Sequence, residues 1–280
     1  MPADGEQNRR EFLRQAGAFL LMPQAGSAAK GPALVDHHKG GFRFLRGIAP
    51  YSSGAVAMKG FEVVHVTLVP PLPYRQGFAA LDRHLSQESR PPQALCGIEL
   101  RSPRPFSFAG FNAFNREYVA QLEQRGVLFE GLNPVARTNV APEVGPPGEV
   151  SLYGFSYTAP AGATAPTFVI AGAGELVGER LEAGDIVRRG DVSAEGIAEK
   201  AASVLERMER RLRGLGVEWG QATVVNVYTV HNVFPLLRKL LLPRLGPAQA
   251  RGIHWHFARP PIQELEFEMD VRGCRRELVR

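Results

Sequence analysis

Apolar and polar residues alternate along residues 61–68 (FEVVHVTL), the period of a half-buried strand. Over residues 76–87 the period lengthens. Phe78, Leu81 and Leu85 recur at three- and four-residue steps, which predicts a helix. Residues 94–100 predict another strand. Residues 112–124 predict a second helix, with Phe114, Tyr118 and Leu122 on one stripe. Residues 138–141 and 150–158 complete the first series. Residues 159–166 (APAGATAP) have the composition of a linker.

A second series starts with a strand at residues 167–171. Its long helix is the clearest element: Asp191 or Ser193 can cap it, and Gly214 and Gly216 stop it. Ile197, Ala201, Val204, Leu205, Met208, Leu212 and Leu215 form its apolar face. A β-prone run at 222–230 follows, then a helix at 234–245 and alternating strands at 253–257 and 264–271. Strand runs punctuated by two helices in each half predict an α+β fold, with the helices on one face of each sheet.

The two series share a frame. Ala136-Arg137 and Ala250-Arg251 are each followed by a Pro-Pro pair, beginning at Pro146 and Pro260. Fifteen residues beyond each arginine the copies differ: Leu152 in the first, Glu266 in the second. This predicts two related domains, 41–160 and 161–280, of which the second keeps a carboxylate. Residues 1–40 are set aside as an N-terminal arm. Within it Asn8-Arg9-Arg10-Glu11-Phe12-Leu13-Arg14 is similar to a twin-arginine export motif, followed by a short apolar run and small residues. A disordered or amphipathic arm fits the same residues.

Composition narrows the function classes. The net charge of +5 sits largely in short clusters, such as Arg207–Arg213 and Arg275–Arg280, with no nucleic-acid motif beside them. Nucleic acid is therefore not expected as a partner, and a basic surface favours small anions. No apolar stretch reaches the length that spans a membrane. Cys96 and Cys274 lie far apart, without metal or disulfide-framework spacing.

These motifs resemble the Rid (YjgF-like) family. In the second half, Phe168-Val169-Ile170-Ala171-Gly172 is similar to a family strand. So are Gly190-Asp191 before the long helix, the run 224–229 (VVNVYT), and Arg251 with Glu266 at the family's interval. In the first half, Ile48-Ala49-Pro50-Tyr51-Ser52, the run 111–118 (FNAFNREY) and Pro134-Val135-Ala136-Arg137 carry the likeness. The tandem arrangement also resembles 2-aminomuconate deaminases and the two-domain chorismatases. The sequence departs from the pattern at Ala171, where the family has serine. It departs again in the second half's shorter helix, which lacks the family's asparagine.

The resemblance implies two chorismate-mutase-like (Rid-type) domains, a homotrimer, a small carboxylate-bearing substrate, and neither cofactor nor metal. It implies a cytoplasmic enzyme, or a periplasmic one if Arg9-Arg10 directs export. It also implies hydrolytic deamination of an enamine or imine. Arg251 would anchor a carboxylate through its planar fork, and Glu266 would activate water. Arg137, Tyr51, Asn115, Tyr118, Gly172 and His256 are the expected substrate-binding residues. An ion pair between Arg251 and Glu266, a core role for Tyr118 and an interface role for Arg137 are the structural alternatives. His254 and His256 face one side of their strand, as two metal ligands would, but no third ligand is visible. A chorismatase-like hydrolase and a non-catalytic metabolite-binding trimer also stay open.

Overall fold

The alternation at residues 61–68 matures into a long strand that leads directly into a helix. The chain is seen in a computed structural model that describes residues 34–162, 165–178 and 181–280. The twin-arginine-like segment lies outside the described residues. Three short strands come first: β1 (Leu34–His37), β2 (Phe42–Leu45) and β3 (Gly54–Ala57). Next are β4 (Phe61–Pro73), α1 (Tyr74–Gln87), β5 (Leu95–Arg101), α2 (Phe108–Gln124), β6 (Ala136–Pro142) and β7 (Ser151–Pro160). The second half runs β8 (Phe168–Gly174), α3 (Ala194–Leu215) and β9 (Val224–Tyr228), then a broken helical stretch. It ends with β10 (His254–His256), β11 (Ala258–Arg259), β12 (Glu268–Gly273) and β13 (Arg276–Val279).

Local chemistry explains the helix ends. Ser107 and Ser193 cap α2 and α3, each accepting a backbone N–H three residues on, at 3.1 and 3.0 Å. Gly216 closes α3 at φ 72°, a left-handed position that favours glycine. The helix expected over residues 234–245 is broken. It divides into Phe234–Leu236, a π-turn at Leu237–Leu241, Leu242–Leu245 and a 3-10 stretch, Gly246–Arg251. Pro235, Pro243 and Pro247 punctuate it, since proline has no N–H to give a helix ladder.

The strands form a six-stranded sheet, β11-β6-β5-β7-β4-β13, and a seven-stranded sheet, β1-β2-β3-β8-β12-β9-β10. Within them β6-β5-β7-β4 and β10-β9-β12-β8 share one order. In each, the first pair is parallel and the other pairs are antiparallel. The halves also exchange strands. Although β1–β3 precede the first series, they extend the seven-stranded sheet through β3 and β8, while β13 pairs with β4. The described residues fall in one compact unit. Strand β1 lies within the segment set aside as an arm, and β1, β2, β3 and β13, at four residues each, are too short for alternation to predict them.

Helices lie outside and sheets inside. Ile98, Leu100, Phe155 and Tyr157 pack under α1 and α2, and Val225, Val227, Met269 and Val271 pack under α3. The alternate residues face the other sheet, and many are polar. Asp270 accepts from Thr138 Oγ1 (2.7 Å), Asn226 Nδ2 (2.8 Å) and the Tyr228 hydroxyl (2.8 Å). Glu99 lies 3.4 Å from Arg272 and 3.6 Å from Arg101. The molecule therefore buries an ionic layer between two apolar ones.

One correction affects the site. The strand expected over residues 264–271 begins only at Glu268. Glu264 has φ 72°, which breaks the extended chain. The Glu175 carboxylate then accepts the backbone N–H groups of Glu266 (2.7 Å) and Phe267 (3.1 Å). Lys200, from α3, meets Glu175 at 3.2 Å with both side chains fully buried. This clamp fixes the turn that delivers Glu268. Lys200→Met strands the Glu175 charge and should cost about 3–5 kcal/mol of unfolding free energy in urea. The double variant with Glu175→Gln should recover much of that loss; equal stability of Lys200→Met and the wild type would show that the clamp contributes nothing.

Candidate active site

Strand β6 places Arg137 beneath α2, 3% exposed. Its Nη2 donates to Asn115 Oδ1 at 2.7 Å. Four rings surround the guanidinium: Tyr51 at 4.6 Å, Tyr118 at 4.7 Å, Phe111 at 5.2 Å and Phe114 at 5.7 Å. Phe111, Phe114, Asn115 and Tyr118 share one face of α2, because three- and four-residue steps return to the same side. Tyr51 comes from the loop before β3, where Ser52 is held by Val135 and Pro134 carbonyls. The rings favour the cation, yet Arg137 Nη1 is buried without a hydrogen-bond partner. A buried cationic donor left open suits an anionic ligand.

The second half supplies Glu268, at the start of β12 and also 3% exposed. Among the described residues its carboxyl makes no hydrogen bond. Burial pushes its pKa well above the usual carboxylate range, and the nearby Asp270 and Glu175 add to the rise; Arg137 and Arg211 oppose it. Gly172 gives the carboxyl its room. A Cβ there would run into the Glu268 carboxyl and lie 3.0 Å from Thr138 Cγ2. The Gly172 N–H donates to Thr138 Oγ1 at 3.1 Å, which locks this close approach to the Asp270 network.

Between these groups lies a small cavity lined by residues of both halves. Tyr51, Ser53, Arg137, Asn139, Gly172, Arg207, Arg211 and Glu268 form its polar lining, with Ile48, Phe111, Leu176, Ile262 and Leu265 among the apolar walls. Arg207 and Arg211 stand one turn apart on α3. Arg211 donates to the Ala171 carbonyl at 2.7 Å, and Arg207 to the carbonyls of Leu176 and Gly178. The site thus combines several cations with a carboxyl whose pKa burial raises.

A family model described as 2-aminomuconate deaminase CnbZ matches residues 34–278. The chain belongs to this deaminase family. A 2-amino-5-chloromuconate deaminase from Comamonas testosteroni is 42% identical over 251 residues, spanning 89% of this chain and 99% of the relative. A solved chorismatase aligns with a TM-score of 0.45 at 16% identity, over 87% of this chain and 80% of its own. A cyanuric acid hydrolase aligns with a TM-score of 0.40 at 12% identity, over 78% and 69%. The expected likeness to 2-aminomuconate deaminases is met by the family match.

In this CnbZ-family chain the structure brings together Arg137, Tyr51, Asn115, Tyr118 and Gly172. It does not bring Arg251 to Glu266. Arg251 is exposed at the end of its 3-10 stretch. Glu266 instead meets His231 at 2.7 Å and Arg259 at 3.8 Å, outside the cavity lining. His256 stacks on Tyr228 at 4.8 Å and contacts Asn226 at 3.2 Å. Burial lowers its pKa to about 4, so it is neutral near pH 7. No group of three metal-ligating side chains occurs among the described residues.

Sequence reasoning missed Glu268, Asn139, Arg207 and Arg211. Two signals were present. Glu268 shares strand parity with Glu266 in an alternating run, and Arg211 falls on the Val204–Met208–Leu215 stripe of α3.

The raised pKa of Glu268 has a consequence for stability. A folded-state pKa above the unfolded value gives stability that is complete below the ordinary carboxylate range and is lost as pH rises through the folded pKa. Glu268→Gln removes this ionisation. In denaturant titrations the variant should match the wild type near pH 4. It should then gain about 1.4 kcal/mol relative to it for each pH unit climbed between the two pKa values. Parallel stability curves from pH 4 to 8 would mean that Glu268 ionises normally.

Proposed function

We propose that the chain hydrolytically deaminates a small anionic enamine or imine of the 2-aminomuconate or 2-imino acid type, with Glu268 as the acid/base and Arg137 as the carboxylate anchor. The observation that carries this reading is a buried carboxyl, its pKa raised by burial, on the same cavity as a buried arginine with an open donor. In a 2-aminomuconate-type dianion, one carboxylate sits against Arg137. Arg207 and Arg211 supply positive potential for the other.

The chemistry follows from the starting protonation state. An enamine is basic at carbon, so its first need is a proton donor, which an ordinary ionised glutamate cannot be. Glu268 in its neutral form protonates that carbon and leaves an iminium. Its carboxylate, now charged, takes a proton from water as the oxygen bonds to the C=N carbon. Glu268 next returns this proton to the nitrogen of the carbinolamine. As the C–N bond breaks, the hydroxyl proton passes back to Glu268. Ammonia and a ketone leave, and the carboxyl ends as it began. Arg137 holds its charge throughout, since a guanidinium does not titrate at working pH.

The shared order β6-β5-β7-β4 and β10-β9-β12-β8 supports reading the sheets as two copies of one βαβαββ unit. Under that reading, the first copy contributes Arg137 and Asn115 and the second contributes Glu268 and Gly172.

Ammonia release from 2-aminomuconate is the direct assay. Glu268→Gln should lower kcat by about 10²–10⁴-fold. Glu266→Gln should stay within a few-fold of wild type. Arg137→Lys should raise KM, because lysine cannot reproduce the planar fork. Full kcat in Glu268→Gln, or a loss confined to Glu266→Gln, would remove this assignment.

A further inference from the structure

Arg137 is not the only buried donor left open in the cavity. Asn139 stands two residues along β6, on the same face of the strand, and is 2% exposed. The Ser102 hydroxyl donates to its Oδ1 at 2.9 Å. Ser102 is itself fully buried, and its own N–H is held by the Val140 carbonyl at 2.8 Å. The amide is thus oriented from behind. Its Nδ2 is buried and has no acceptor among the described residues, and Asn139 is one of the residues that line the cavity. An unmade hydrogen bond of this kind is costly in a protein interior. In the neighbouring layer, by contrast, Asp270 accepts three bonds.

We propose that Asn139 is a second substrate-binding residue, donating from Nδ2 to the carboxylate that Arg137 Nη1 anchors. This rests on the reading of the cavity as an anion site. Residues two apart on a strand are about 7 Å apart, and the longer arginine can lean toward the amide, so one carboxylate between them can accept from both. The pair presents donors only, because Asn139 Oδ1 is taken by Ser102 and a guanidinium has no acceptor. A free carboxylate matches such a subsite. A carboxamide turns N–H groups toward it and leaves donors facing donors. Asn139 therefore sets selectivity for the acid over its amide at this end of the substrate.

Muconate, which has the carboxylates but no amine to lose, is a suitable probe for calorimetry. Asn139→Asp keeps the shape and the acceptor for Ser102 but replaces the donor with a carboxylate. It should weaken muconate binding by more than about 100-fold, and Asn139→Ala by about 10-fold, the range of one hydrogen bond to a charged group. Ser102→Ala frees the amide to rotate and should give a smaller loss, which keeps the test open if an Asn139 variant folds poorly. Wild type should also prefer muconate to its monoamide, and Asn139→Ala should narrow that preference.

Muconate binding by Asn139→Asp within twofold of wild type would overturn the proposal, as would a wild type that does not bind muconate. Ammonia release is followed in parallel. A wild type that binds muconate and discriminates as stated, yet releases no ammonia from 2-aminomuconate, would sink the deaminase reading and leave the Asn139 subsite supported. A working deaminase indifferent to Asn139→Asp would sink the subsite alone.

Discussion

The seven-stranded and six-stranded sheets bury their inner faces against each other, and those faces carry ions. In such a layer every charge must find a partner or give up its charge. Strand β12 shows both outcomes along one side. Asp270 accepts three hydrogen bonds, and Arg272 meets Glu99 and Glu277. Glu268, two residues before Asp270, is buried to a similar degree, and among the described residues its carboxyl makes no hydrogen bond. Its carboxyl is therefore driven toward the neutral form. That unmatched carboxyl is the group from which the proposed acid chemistry follows.

Matching elsewhere is what keeps Glu268 in place. The Lys200–Glu175 pair pins the backbone of residues 266 and 267, so the chain enters β12 at a fixed point. Thr138 joins Gly172 to Asp270 and holds β8 close to β6. Gly172 then leaves the space that any Cβ would take from the carboxyl. On the other wall, Asn115 and four rings orient Arg137 while leaving one nitrogen open. The fold satisfies nearly every buried group around the cavity and reserves a few. A carboxyl with a raised pKa and open donors are what the proposed deamination of an anionic enamine would use.

Much of this was legible from residue patterns. The periods gave the series of strands and helices, and Ser193 caps α3 as its position before the apolar stripe suggests, whereas α2 starts four residues earlier than its stripe indicates, at the Ser107 cap. Arg137, Tyr51, Asn115 and Gly172 could be picked out because their motifs occur in order. The Arg251–Glu266 interval was less informative. It measures distance along the chain, whereas the turn at Glu264 and the Glu175 clamp decide where the strand begins. Alternation of period two cannot separate Glu266 from Glu268; only burial does. Arg211 looked like a surface charge although its helical position lies on the apolar stripe. Strands β1–β3 joined the sheet of the other half through tertiary pairing, which no local pattern encodes.

The protonation state of Glu268 tests the account most directly. Carboxyl-carbon NMR, with the Glu268 signal assigned by its loss in Glu268→Gln, reads that state without reference to turnover. With burial raising its pKa, this carboxyl should remain protonated at pH 7 and titrate above the other glutamates. A Glu268 signal that titrates near the ordinary value of about 4.3 would contradict it.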